Sequence, residues 1–395
     1  MIVIIKDNME GTYMNHNTQK RLFAASCISL VLTSMTFAIR ARLETVFGPM
    51  GLGLSLEQIG YAFMPAFWGF TIAIILGGRL VDSIGMKKGM WLAFISHTIG
   101  IILTLIANDF SSLLIATIIM GLGNGMVEAV CNPLVASMYP QEKTKMLNRF
   151  HLWWPAGIVI GSLVGLIIMD LMNLSWQLMV ASLFVPLILY GYLLAGQSFP
   201  QTERVILGVN QQDTLKSLTK PLFIFIAFCM LLSASTELGT TQRIESLLRE
   251  TGVNALLVLA FINGIMIIGR AFAGPIAAKL NTTGMLFTSS IFAFIGLQML
   301  ANTELFNVFL AAGIFAIGIT FFWPTTLAFI SENIPESGAL GMSVIGGLGM
   351  LSVSLILPLL GRFLDNSIST DVIQTISILP FILIVLYGVL HFKQQ

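Results

Sequence analysis

The chain is a succession of long apolar runs separated by short polar breaks. A bilayer crossing by an α-helix needs about 20 apolar residues. Twelve runs meet that length: 20–47, 57–79, 89–107, 111–138, 150–171, 174–196, 220–248, 253–277, 283–301, 305–331, 339–362 and 370–391. After the N-terminal stretch, the longest polar interval is 197–219, QSFPQTERVILGVNQQDTLKSLT. It predicts an N-terminal six-helix half over 1–196, a linker over 197–219 and a C-terminal six-helix half over 220–395. Two weak echoes support duplication. Arg42-Leu43-Glu44 returns as Arg243-Ile244-Glu245, and Asn132-Pro133 returns as Trp323-Pro324. The pattern predicts an all-α polytopic membrane protein, with twelve transmembrane helices in two six-helix pseudo-repeat halves and a solute site between them.

Composition agrees. Of 395 residues, 56% are hydrophobic and 10% charged, and mean hydropathy is +0.89. A soluble domain carries roughly 25% charged residues. The net charge of +1 gives no case for nucleic-acid binding. With the N-terminus inside, every lysine falls in a cytoplasmic segment: Lys6, Lys20, Lys87, Lys88, Lys143, Lys145, Lys216, Lys220, Lys279 and Lys393. The positive-inside rule therefore places both termini and the linker in the cytoplasm of a multi-pass protein of the inner (cytoplasmic) membrane. Cys27, Cys131 and Cys229 sit in apolar runs, as buried free thiols without disulfide or metal spacing. No cleavable signal precedes Lys20. There is no His-Glu-x-x-His, Gly-x-Ser-x-Gly or phosphate-binding loop, so no enzyme, metal site or cofactor is expected.

Polar residues inside the runs mark the candidate chemistry. Glu128 and Asn132 are four residues apart and share a helix face. A carboxylate in a membrane helix normally faces a protein interior or a watery cavity, which makes Glu128 the candidate proton carrier. Asn132 is a candidate substrate contact or an interhelical hydrogen bond. Trp323 could stack on a sugar ring or simply pack. Arg40, Arg42, Glu44, Glu237, Gln242 and Arg243 form a polar group. The rise of about 1.5 Å per residue sets Arg40 about 30 Å above Lys20, in the outer third of the membrane. That group reads as side chains reaching the interface, or as an outer vestibule in which Arg40, Arg42, Arg243 and Glu237 contact an anionic or hydroxyl-rich solute. Arg270 calls for an acid partner across the cavity. His97 reads as hydrogen-bonded packing, and His151, Trp153 and Trp154 as an interfacial belt.

The loop expected after the second run reads Gly77-Gly78-Arg79-Leu80-Val81-Asp82-Ser83-Ile84-Gly85-Met86-Lys87-Lys88. It resembles the signature of the major facilitator superfamily, with Gly78, Leu80, Asp82, Gly85, Lys87 and Lys88 matching in place. The resemblance implies the major facilitator fold, with Gly78, Asp82, Gly85, Lys87 and Lys88 as a cytoplasmic gate latch. The segment from Gly125 to Pro133 resembles the fourth helix of the fucose–proton symporter branch, as do Lys145, Leu147, Asn148, Phe150, Pro155 and Gly157. Phe321, Phe322, Trp323, Pro324, Glu332, Pro335, Gly338 and Ala339 extend that likeness. In the branch, an aspartate of the first helix joins the glutamate in proton coupling. Here Ala38 to Glu44 contains no aspartate, and Glu44 lies near the matching position. The expected function is a secondary active transporter, a proton-coupled importer of a sugar or sugar derivative working by alternating access. The partners are a small-molecule solute, a coupling proton or sodium, and the lipid bilayer, with a monomer expected. The alternatives are an exporter of an amphipathic or anionic compound and a non-transporting membrane sensor.

Overall fold

The computed structural model describes residues 15–47, 53–54, 56–248, 251–253, 255–303, 306–366 and 368–394. Among these, eleven helices are long and apolar enough to cross a membrane. In chain order the spans are α1 (His16–Phe47), α2 (Tyr61–Ile84), α3 (Met86–Ile106), α4 (Phe110–Met138), α5 (Lys143–Leu171), α6 (Trp176–Leu194), α7 (Pro221–Gln242), α8 (Ala255–Ala271), α9 (Ala273–Leu300), α10 (Val308–Asn333), α11 (Gly338–Asn366) and α12 (Ser369–Gln394). The shorter apolar α8 is the twelfth. Within α9 the backbone leaves helical geometry at Asn281, with φ 52° and ψ 178°, which divides the helix in two.

Local chemistry sets the ends. Asp109 caps α4: its carboxylate accepts the Ser112 N–H at 2.7 Å, and the Ser112 hydroxyl accepts the Asp109 N–H at 3.1 Å. Asn307 caps α10, its side-chain oxygen accepting the Phe309 N–H at 2.9 Å. Pro221 opens α7, where its missing N–H costs nothing. Gly85, at φ 88°, turns the chain between α2 and α3. The expected signature loop is therefore a single glycine: Gly78, Leu80 and Asp82 lie on α2, and Lys87 and Lys88 open α3. The expected run ends at 79, but the helix continues to Ile84, with Asp82 paired to Arg204.

Packing relies on small residues. A methyl group on Gly125 of α4 would stand 2.3 Å from the Phe70 carbonyl of α2, so the two backbones touch. Apolar side chains such as Leu76, Ile106, Tyr192 and Phe392 face outward, more than 60% exposed, as a lipid-facing wall requires. Some polar side chains inside form a bonded chain across helices. His97 joins the Tyr190 hydroxyl at 3.1 Å and Asn124 at 3.0 Å, and the Asn124 amide donates to Thr36 at 3.0 Å. The three cysteines are buried and free. The polar interval between α6 and α7 carries two short helices, Glu203–Ile206 and Gln211–Leu218. Thr202, Arg204, Thr214 and Ser217 are buried there, so this segment packs against the bundle.

Candidate functional site

A narrow cavity lies where the first six spans meet the last six. Phe70 comes from α2, Glu128 from α4, His151 and Trp154 from α5, Glu237 and Leu238 from α7, Arg270 from α8, Trp323 from α10 and Met350 from α11. Glu128 is 2% exposed and Glu237 4%. The Asn132 amide donates to Glu128 Oε2 at 2.6 Å and to the Glu128 carbonyl at 2.9 Å. With its amide group spent on donation, the Asn132 oxygen accepts from His151 Nε2 at 2.8 Å, which assigns the proton on that nitrogen. His151 Nε2 is also 4.0 Å from Glu128 Oε2. On the facing wall, Arg270 donates to the Thr320 carbonyl at 2.7 Å, the His151 carbonyl at 2.9 Å and Glu237 Oε1 at 3.3 Å.

Glu237 owes its position to a local irregularity. Over Ser235–Gly239, α7 widens to i→i+5 hydrogen bonding, which inserts an extra residue into one turn and turns the carboxylate toward Arg270. Aromatic faces complete the cavity. Phe70 and Trp154 meet edge to face with centroids 6.5 Å apart, and Phe37 backs Trp154 at 5.3 Å. Trp323 stands on α10, and a methyl group on Gly349 of α11 would meet its ring at 2.7 Å. The site thus offers carboxylate acceptors between aromatic walls, the arrangement suited to a small solute rich in hydrogen-bond donors.

Beside the end of the bundle that carries the linker, the two sets of helices are clasped. Lys143 of α5 pairs with Glu203 of the linker at 2.7 Å and donates to the Ser331 carbonyl of α10 at 2.9 Å. Thr144 donates to Glu332 at 2.6 Å, and Asn148 to Thr325 at 3.2 Å. Asp82 takes Arg204 Nε at 2.8 Å and the Thr202 hydroxyl at 2.7 Å. Gly78 lets α2 approach α11, since a methyl group there would stand 2.4 Å from Ser343 and 3.0 Å from the Ala339 carbonyl. Lys87 and Lys88 are exposed, and the cation paired with Asp82 is Arg204.

The structure gathers Glu128, Asn132, Glu237 and Trp323 at one place and disperses the rest of the expected vestibule. Arg40 lies over the Phe37 and Phe67 rings at 4.4 and 4.9 Å, in a separate cavity within the first six spans. Arg42 pairs with Asp170 of α5, Gln242 is exposed and Arg243 half-buried. Glu44 is on α1, and its side chain lies outside the described residues. Arg270 does find an acid, Glu237 of α7, which lines the same cavity. The sequence places His151, Trp153 and Trp154 in an interfacial belt, but His151 and Trp154 line the cavity, while Trp153 is exposed. The signal that could have found His151 is its place eight residues after Lys143, where α5 is already well inside the bundle.

Comparison with known proteins settles the family. The model of the Major Facilitator Superfamily matches residues 22–356. The chain belongs to this superfamily. It is 24% identical over 307 residues to the uncharacterized transporter YttB of Bacillus subtilis, covering 74% of this chain and 76% of the relative. The fold is similar to that of the E. coli fucose:proton symporter FucP, with a TM-score of 0.74, 15% identity and coverage of 93% and 97%. It is likewise similar to the proton:xylose symporter XylE, with a TM-score of 0.75, 15% identity and coverage of 94% and 95%. Superfamily members are transporters rather than enzymes, and this one is a multi-pass membrane protein.

Proposed function

We propose that this transporter imports a small hydroxyl-rich solute, a sugar or sugar derivative, together with a proton. The observation that carries the reading is Glu128, a carboxyl group buried on the wall of a cavity that Trp323 and Arg270 also line. Such a group can take a proton from one side and release it to the other as access alternates. Asn132 and His151 hold it in place, Glu237 offers an acceptor, and Trp154 and Trp323 offer faces for a sugar ring. The neighbours FucP and XylE are named as proton symporters of fucose and xylose, which supports the same chemistry here. In this reading residues 1–196 and 220–395 rock against each other about the linker 197–219, from an inner membrane with both termini cytoplasmic. Gly78, Asp82 and Gly85, with Lys143, Glu203 and Arg204, form the cytoplasmic gate. Lys87 and Lys88 rest against anionic headgroups.

The test is uptake of labelled sugars, sugar alcohols and sugar acids by the reconstituted protein under an imposed inward proton gradient. The reading predicts accumulation that a protonophore abolishes. A solute that binds and is carried equally with and without the gradient would contradict it. The apolar faces of Phe70, Leu238 and Met350 also favour a second reading, proton-driven export of an amphipathic compound. That reading predicts accumulation under the opposite gradient.

A further inference from the structure

The ionisable groups on the cavity do not balance. Glu128 comes from α4, Glu237 from α7, Arg270 from α8 and His151 from α5. The other lining residues, Phe70 from α2, Trp154 from α5, Leu238 from α7, Trp323 from α10 and Met350 from α11, carry no ionisable group. Arg270 is pinned by the Thr320 and His151 carbonyls, so its positive charge is a fixed feature of the site. Both carboxyl groups share the cavity with that one cation. Glu237 accepts from Arg270 at Oε1, and its Oε2 is buried with no hydrogen-bond partner among the described residues. Glu128 takes one hydrogen bond from the Asn132 amide, and His151 Nε2 spends its proton on Asn132 rather than on Glu128. With both carboxyl groups ionised, one negative charge in the cavity has no counter-charge. A buried uncompensated charge is strongly unfavourable. One added proton restores neutrality.

We propose that Glu128 and Glu237 act as a coupled pair that shares the single positive charge of Arg270 and so binds one proton between them. Glu237 is then a positioning residue for coupling. By occupying Arg270, it leaves Glu128 as the group that must take the proton. This rests on the reading of Glu128 as the proton carrier, and it adds that Glu128 cannot serve without Glu237. Two such groups titrate as a pair, so removing either one changes the proton held by the other. With Glu237 gone, Arg270 becomes the counter-charge of Glu128, which then stays ionised and carries nothing.

The experiment needs no knowledge of the solute. Infrared difference spectra of the purified full-length protein, taken between acidic and alkaline pH, show the C=O stretch of protonated carboxyl groups, which carboxylates lack. Wild type should show one titrating buried carboxyl band. Glu128→Gln should lose it. Glu237→Gln should lose it too, although Glu128 is intact, and Glu237→Asp, which keeps the charge, should regain it. Melting curves confirm that each variant is folded, and Glu237→Asp carries the test if Glu237→Gln is not. A band lost in Glu128→Gln but retained in Glu237→Gln, or lost in Glu237→Asp, would overturn the sharing while leaving Glu128 as the carrier. A wild type with no titrating band would overturn both.

Discussion

Substituting Gly78 by alanine places a methyl group where α2 crosses α11. The added carbon would sit 2.4 Å from Ser343 Cβ and 3.0 Å from the Ala339 carbonyl. Ser343 Cβ is fixed to its backbone, so the helices themselves must part. Overpacking of this kind costs about 1–3 kcal/mol. The contact joins the first six spans to the last six, so the proposed alternating-access cycle breaks it once per turnover. The cost therefore falls on the clasped state alone and shifts the balance toward the state separated at the linker side by about 5–150-fold. Gly125 supplies the control. A methyl group there meets the Phe70 carbonyl at 2.3 Å, but α2 and α4 both belong to the first six spans, which the proposed cycle moves as one unit. Gly125→Ala should lower the melting temperature without moving the balance. Spin labels on cysteines at Lys88 and Lys279, in a background free of Cys27, Cys131 and Cys229, would report the separation of the linker-side ends. Longer distances in Gly78→Ala and unchanged ones in Gly125→Ala are expected. An unchanged distribution in folded Gly78→Ala protein, or the same lengthening in both variants, would refute the reasoning.

Asp82→Asn weakens the charge-assisted bonds to Arg204 and Thr202, worth about 1.5–3 kcal/mol. It should alter turnover while leaving solute affinity within a few-fold, and a normal transport rate would reduce Asp82 to packing. Topology is best probed at Lys216, whose side chain is 76% exposed, because the adjacent Ser217 is buried. A lone cysteine at Lys216 should resist an impermeant maleimide in intact cells and react after permeabilisation; ready labelling of intact cells would invert the orientation. The Ser112 backbone N–H and hydroxyl hold the Asp109 carboxyl below its ordinary range. Its stabilising effect is then complete above that range and lost as pH falls through the folded-state value. Asp109→Ala should melt below wild type at neutral pH, with the gap closing on strong acidification; a pH-independent gap would deny the carboxylate its capping role.

Most of the fold was legible because a bilayer leaves few alternatives. Apolar length alone located the spans, and the helical geometry of α9 breaks at Asn281, two residues before the expected start of the ninth at 283. Glu128 and Asn132 were legible because an acid and an amide on one face of a membrane helix need partners. The vestibule was not. Rise per residue gives depth along a helix but not the direction a side chain faces, so Arg40 and Glu237 were grouped although they occupy different cavities. The irregular turn that carries Glu237 leaves no trace in an apolar run interrupted by Ser235, Thr236 and Glu237. Arg204 was missed because the linker reads as polar spacer, and its bond to Asp82 joins residues 122 positions apart.

The central claim is that Glu128 carries the coupling proton through the cavity. Glu128→Gln mimics the protonated side chain and cannot release a proton. The most direct measurement compares two activities of this variant in proteoliposomes: accumulation of solute driven by a proton gradient, and exchange of labelled for unlabelled solute at equal pH. Exchange needs no net proton movement. The account predicts that accumulation fails and loses its pH dependence while exchange persists. Accumulation against a gradient at the wild-type level would contradict it.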